Sequence, residues 1–182
     1  MRDFTDLSLD LETLGTEPGA VITQIGLAAF NSRPQSDADY EIAPQLIHVD
    51  PQSCLDLGMH VSWATIAWWL IQDEAPRQGM ALSKGLPLYD ALASVSEWCA
   101  LNLADGFKVW GNGATFDVTL LDEAYRKINR KPLWQFRNVR DMRTLVAATP
   151  EDKIKWGVPR VAHDAMCDAI AQAETIRSCF VS

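Results

Sequence analysis

The stretch Leu7-Ser8-Leu9-Asp10-Leu11-Glu12-Thr13-Leu14-Gly15 decides the fold. Leucines at 7, 9 and 11 alternate with Ser8, Asp10 and Glu12, the period of a β-strand with an apolar face. Asp10 and Glu12 are two apart, so both side chains leave the strand on the same side. Asp is depleted in strands, and two same-face carboxylates repel. If they lie close, something positive must offset them, and a divalent cation with oxygen ligands is the simplest candidate. A strand end with solvated acids would show the same pattern.

Downstream, residues 13–19 hold Gly15, Pro18 and Gly19 and read as a turn. Val21–Phe30 is a second strand and Gln45–Val49 a third, together an antiparallel meander. Ser62 can cap a helix running from about Trp63 to Glu74. Pro87 precedes a helix over about Leu88–Leu103. The short strand Phe107–Trp110 then breaks through Gly111-Asn112-Gly113 into a helix from about Thr115 to Ile128, an α/β signature. Leu133–Arg140 holds a last strand or extended stretch, and Asp141–Ala148 a short helix. Residues 149–160 form a polar loop, and Asp164–Phe180 the final helix. The order suits a mixed sheet with helices on its faces, in one domain spanning 1–182.

The composition agrees. The chain has 182 residues, 48% hydrophobic and 22% charged, which suits a globular domain and excludes a disordered or coiled-coil protein. No apolar run reaches the ~18–20 residues of a membrane span. Met1–Asp6 carries acids where a secretory leader needs positive charge, so a cytoplasmic protein is expected. The four cysteines lack C-x-x-C spacing and read as small buried hydrophobes. Net charge is −8, against indiscriminate clamping on a polyanion. The charge is uneven, however. Residues 126–143 carry seven bases and one acid, which suits either a phosphate-facing patch or a solvated surface.

Two more acidic stations stand out. Asp117 lies three and four residues before Leu120 and Leu121, so it falls on the apolar stripe of its helix, facing the sheet. A buried lone carboxylate is costly unless paired or on a metal. A first-turn Asp also suits the helix dipole, which explains its place along the helix but not its face. His163 and Asp168 are five apart, about 140° around a helix, so His163 belongs on the loop or first turn and Asp168 inside the helix. Ala165, Ala169 and Ala171 around Asp168 let that helix approach the sheet closely. The tryptophans Trp63, Trp68 and Trp69 on one helix read as core, with base stacking as the alternative.

These stations, in this order, resemble the DEDD superfamily of 3′–5′ exonucleases, in the subtype with a histidine in its last motif. The first motif, D-x-E-T-x-G, stands as Asp10 to Gly15, followed by Ile22-x-x-Ile25-Gly26. The second stands as Asn112-Gly113-Ala114-Thr115-Phe116-Asp117, and the third as His163-x-x-x-x-Asp168. Arg140-Asp141-Met142-Arg143-Thr144-Leu145 resembles the segment between the last two. Ser62-x-x-Thr65-x-x-Trp68-Trp69-x-x-Gln72 looks like a branch of small stand-alone bacterial and phage exonucleases, including exoribonuclease-like members.

The resemblance implies an RNase H-like fold, with a mixed five-stranded sheet whose first three strands are antiparallel. It implies hydrolysis of single-stranded RNA or DNA from the 3′ end with two divalent cations, Mg2+ or Mn2+, of the kind that sit ~3.5–4 Å apart. Asp10 would bridge both ions, Glu12 and Asp168 would hold the one carrying the attacking water, and Asp117 the second. His163 would be the general base, a role an imidazole suits near neutral pH. Thr13 and Leu14 would receive the terminal nucleotide, and Phe116 could stack on it or pack in the core. Relatives of this kind are often homodimers. The alternative is a non-catalytic RNase H-fold module that binds nucleic acid or protein.

Overall fold

The computed structural model of the chain describes residues 4–81 and 85–181; the reading of Met1–Asp3 falls outside them. Strands β1 (Phe4–Thr13), β2 (Ile22–Phe30) and β3 (Ala43–His48) form the expected antiparallel meander. Strand β4 (Leu103–Gly111) pairs parallel with β1, and β5 (Val139–Asp141) parallel with β4. The sheet order is β3-β2-β1-β4-β5. The helices are α1 (Pro51–Asp56), α2 (Trp63–Leu70), α3 (Glu74–Ala81), α4 (Leu88–Asn102), α5 (Asp117–Lys127), α6 (Met142–Ala148) and α7 (Ala165–Phe180). Among the described residues no helix is long and apolar enough to cross a membrane.

Both faces of β1 are covered. Leu7, Leu9 and Leu11 join Ile25 and Leu27 of β2, Leu92 and Val95 of α4, and Leu120 and Leu121 of α5 in the larger core. On the other face Asp6, Ser8, Asp10 and Glu12 stand opposite Phe30, Ala28, Gly26 and Gln24 of β2. Helix α7 packs over this face, joining Ala169, Ala173 and Ile176 to Ala28 and Phe30. The β2 residues shrink toward Asp10, from Phe30 through Ala28 to Gly26. A Cβ on Gly26 would stand 1.9 Å from the Ala165 carbonyl oxygen, so the first turn of α7 comes down onto the sheet where only a glycine fits.

Some elements differ from the sequence reading. The helix expected over Trp63–Glu74 ends at Leu70, and α3 starts anew at Glu74. Pro76 gives the reason: its ring would clash with the Gln72 carbonyl in a continuous helix, but is tolerated in a first turn. Ser62 occupies the N-cap of α2 without a side-chain capping bond; its backbone N–H instead donates to the Leu14 carbonyl at 2.7 Å. Helix α1 was not anticipated, although Asp50, whose side chain accepts from Gln52 N, and Pro51 form a regular start. Of the three tryptophans expected in the core, only Trp69 is buried; Trp68 is partly exposed and Trp63 is 75% exposed. Cys54 and Cys99 are buried as expected, while Cys167 and Cys179 are half-buried.

Candidate active site

The carboxyl ends of β1 and β4 and the start of α7 meet at one cleft. Ligand sites of α/β sheets commonly lie at such strand ends. Strand β1 delivers Asp10 and Glu12. After β4 the chain turns tightly through Gly111 to Phe116, with Gly113 in the left-handed region at φ +95° and Phe116 N donating to the Gly113 carbonyl at 2.8 Å. This turn drops Asp117 into the first turn of α5, where it is 3% exposed and accepts from Leu11 N at 3.3 Å. Asp141 braces the turn from the next crossover: one carboxylate oxygen accepts from Ala114 N at 2.7 Å, the other from Thr144 N at the start of α6.

Helix α7 brings the third station. Asp164 caps it, accepting from Cys167 N at 3.0 Å, and Gln24 accepts from Ala165 N at 3.2 Å. His163 sits before the helix in the left-handed region, φ +58°, and Asp168 lies in the first turn, as the spacing required. One ligand atom each from Glu12, His163 and Asp168 lies within 4.8 Å of the others. Asp10 and Asp117 line the same cavity of about 420 Å³. All five predicted residues therefore share one cleft.

Gln172, one turn beyond Asp168, escaped the sequence reading. Its side-chain amide donates to Asp10 at 2.7 Å, and its carbonyl oxygen accepts from Ser8 at 3.4 Å. The i, i+4 spacing from Asp168 was the available signal.

The electrostatics record the crowding. Burial raises the Asp10 carboxyl well above its ordinary range, and Asp117, Glu12 and Asp168 add repulsion, with only the Gln172 amide opposing. Burial, then Asp168 and Asp117, push Glu12 to about 8. Burial pushes Asp117 to about 7 against the Leu11 N–H and the Arg143 charge. Asp168 is raised by burial while His163 pulls it down. Like charges packed in low dielectric disfavour ionisation unless a cation joins them.

A second cavity, about 450 Å³ and mostly apolar, adjoins the first and shares Leu11, Glu12 and Phe116 with it. Thr13, Trp68 and Trp69 also line it. Trp69 is anchored by its indole N–H, which donates to the Thr13 carbonyl at 2.9 Å. Leu14 packs against the core instead of lining this cavity. The loop at 151–160 is pinned to α7, with Lys155 N donating to Ser178 and Gly157 N to Thr175, both at 2.9 Å, while exposed Trp156 lines the acidic cleft.

The basic stretch 126–143 is largely used elsewhere. Arg126 pairs with Glu123, Arg130 stacks on Tyr89, and Arg140 donates to the Arg137 and Val139 carbonyls. Arg143 alone of the seven lines the acidic cleft.

Comparison with known proteins agrees with this architecture. The 3′-5′ exoribonuclease Rv2179c-like domain family matches residues 5–180. An exodeoxyribonuclease of Enterobacteria phage T4 is 25% identical over 190 residues, covering 90% of this chain and 83% of the phage protein. Among solved structures, the nuclease domain of 3′hExo, a DEDDh family member bound to rAMP, superposes with a TM-score of 0.58 at 11% identity, covering 98% of this chain and 96% of that one. S. pombe Pop2p in its Mg2+- and Mn2+-bound form gives a TM-score of 0.54 at 14% identity, covering 97% and 82%. The fold is thus RNase H-like, and the match from β1 to α7 places the chain in the 3′-5′ exoribonuclease Rv2179c-like domain family, as a 3′–5′ exonuclease.

Proposed function

We propose that the protein removes nucleotides one at a time from the 3′ end of single-stranded RNA or DNA, with two divalent cations, Mg2+ or Mn2+, held by Asp10, Glu12, Asp117 and Asp168. The observation that carries this is the unbalanced negative charge of the cleft. Four carboxylates converge from β1, α5 and α7, and burial raises the proton affinity of each. Asp6, on the same face of β1, shows what a buried structural carboxylate looks like. It accepts from Trp110 Nε1 at 2.8 Å, from Ser32 N and Oγ, and from Thr5 Oγ1. The Glu12 carboxylate takes no such bond among the described residues. Hard cations with oxygen ligands fit that donor set.

Asp10 would bridge the two ions, Glu12 and Asp168 would share one, and Asp117 would hold the other. Bound there, the ions would supply Lewis-acid activation of water and of the departing oxygen. The protein's own groups do the rest. His163 borders Glu12 and Asp168 and takes the proton from the attacking water as general base. The Gln172 amide fixes the orientation of Asp10. Thr13, Phe116 and the tryptophan-lined cavity take the terminal nucleotide, its base stacked against Trp68 or Phe116. The acidic cleft adjoining that cavity then receives the phosphodiester.

The test is a denaturing gel of 5′-labelled single-stranded RNA and DNA incubated with Mg2+, Mn2+ or EDTA, beside Asp10→Ala. A ladder descending one nucleotide at a time, lost in EDTA and in the variant, is expected, and its rates rank the two polymers. Cleavage that persists in Asp10→Ala would overturn the assignment.

A further inference from the structure

Among the described residues that line the acidic cleft, Arg143 is the one permanent cation. Arg143, the second residue of α6, reaches back over the turn that follows β4. Its Nε donates to the Asn112 side-chain oxygen at 3.2 Å. Its guanidinium carbon lies 3.7 Å from where a Cβ on Gly113 would stand, so it rests against a backbone kept bare by that glycine. Among the described residues no carboxylate lies within ion-pair distance of Arg143; the pairs present are Lys108–Asp6 and Arg126–Glu123. The guanidinium is thus held by a neutral amide through Nε, and its two terminal nitrogens remain for another acceptor.

The placement is unfavourable by local rules. A cation in the first turn of a helix opposes the helix dipole, and Arg143 is exposed there, with the Asp117 and Asp141 carboxylates near enough to feel its charge without pairing with it. Its location suits a ligand better than the fold. Arg143 lines the acidic cavity and not the apolar one, while Phe116 and Glu12 line both. A terminal nucleotide with its base in the apolar cavity would place its phosphate in the acidic cavity that Arg143 lines. A planar guanidinium with both terminal nitrogens free matches two oxygens of one phosphate, a geometry an ammonium does not reproduce.

We infer that Arg143 is a phosphate-binding residue that holds the non-bridging oxygens of the phosphate being released, an inference that rests on the exonuclease reading above. In the reaction the water oxygen bonds to phosphorus, the bond from phosphorus to the 3′ oxygen breaks, and that oxygen gains a proton. The released nucleoside 5′-monophosphate carries more negative charge than the diester. The contact to Arg143 strengthens as the product forms, which makes the site retain nucleoside monophosphates over nucleosides.

The experiment is calorimetric titration of the Mn2+-loaded protein with a nucleoside 5′-monophosphate and, separately, with the parent nucleoside. It compares wild type, Arg143→Ala, Arg143→Lys and a charge control, Arg137→Ala. Wild type is expected to prefer the monophosphate. Arg143→Ala should lose about tenfold or more in monophosphate affinity, the weight of one charge-assisted contact, with nucleoside affinity unchanged. Arg143→Lys should recover part of the loss, and Arg137→Ala should match wild type. Equal losses for nucleoside and monophosphate, or no loss, would show a structural role and overturn the inference, as would a wild type that does not distinguish the two ligands. Absence of strand cleavage by wild type would count against the exonuclease reading, while the monophosphate difference still reports on Arg143.

Discussion

The His163 imidazole stands edge-on to the Trp68 indole, with ring centroids 4.9 Å apart and planes at 86°. Trp69 flanks the same ring at 6.3 Å. His163 occupies a left-handed backbone conformation, uncommon for a residue with a Cβ, so something must hold it there. Helix α2 supplies the support through two indoles, one of them anchored to the end of β1.

Replacing Trp68 should loosen His163, the proposed general base. Edge-to-face aromatic contacts contribute ~0.5–1.5 kcal/mol, so Trp68→Ala should lower kcat about three- to tenfold, with Trp68→Phe retaining most of it. Trp68 also lines the apolar cavity, so KM should rise in the alanine variant too. A rise in KM at constant kcat, seen in steady-state kinetics on short oligonucleotides, would restrict Trp68 to base stacking.

His163→Ala separates two roles that the geometry brings close together, since the imidazole lies near Glu12 and Asp168. As general base, its loss should lower kcat by about 10²–10⁴ and leave Mn2+ affinity near that of wild type. Titration of Mn2+ followed by electron paramagnetic resonance reads this directly. Collapse of metal affinity would make His163 a ligand.

The raised carboxyls couple metal-free stability to pH. Glu12 rises to about 8 and Asp117 to about 7 on folding, so the folded protein binds protons more tightly than the unfolded chain. Stability from these groups is complete below their ordinary range near 4 and is lost as pH rises through 7 to 8. In EDTA the melting temperature should fall between pH 5 and pH 8. Added Mn2+ should raise it more at pH 8 than at pH 5. A metal-free melting temperature that climbs over that range would remove the charge-crowding argument.

The sequence made the strands and stations legible and left their covering hidden. Alternation at Leu7, Leu9 and Leu11 marks one face of β1, but burial of the other face depends on α7, more than 150 residues away. Asp117 was readable because its position on the α5 stripe is local. Gln172 was not singled out, and Arg143 was read only as one base of a patch, because each makes a long-range contact, with Asp10 or with Asn112, that no local period encodes. Trp63 and Trp68 departed from the core reading for a similar reason, while Trp69 kept to it: hydrophobicity assigns all three to the core, whereas Trp68 borders a cleft assembled from β1, α2 and the start of α5.

Gly26 is where that hidden covering can be tested. A Cβ there meets the Ala165 carbonyl oxygen at 1.9 Å, a backbone contact that cannot rotate away. Gly26→Ala should lift the first turn of α7, separating Asp168 and Gln172 from Asp10. Displacements of about 1 Å in a catalytic arrangement can cost about 100-fold in rate. The expected result is a folded protein by circular dichroism, destabilised by about 1–3 kcal/mol from overpacking, with activity reduced far more than stability. Near-wild-type activity would mean that α7 can shift without moving the site.

Asp6 and Asp10 give the sharpest contrast, because they lie four residues apart on one face of one strand. Asp6 is fully buried with four hydrogen-bond donors and Lys108 at 3.9 Å. Asp10 receives one donor, the Gln172 amide, and is repelled by three carboxylates. Removing Asp6 leaves the Trp110 and Ser32 donors unpaired in the interior, so Asp6→Ala should lose roughly 2–4 kcal/mol, about 5–15 °C in melting temperature for a chain of this size. Asp10→Ala relieves repulsion, and its amide partner borders the open cleft, so in EDTA it should melt at or above the wild-type temperature while losing cleavage entirely. Thermal melts of both variants in EDTA and in Mn2+ check this: Mn2+ should stabilise Asp6→Ala, whose cleft is intact, more than Asp10→Ala. Equal destabilisation of the two variants in EDTA would show that Asp10, like Asp6, serves the fold.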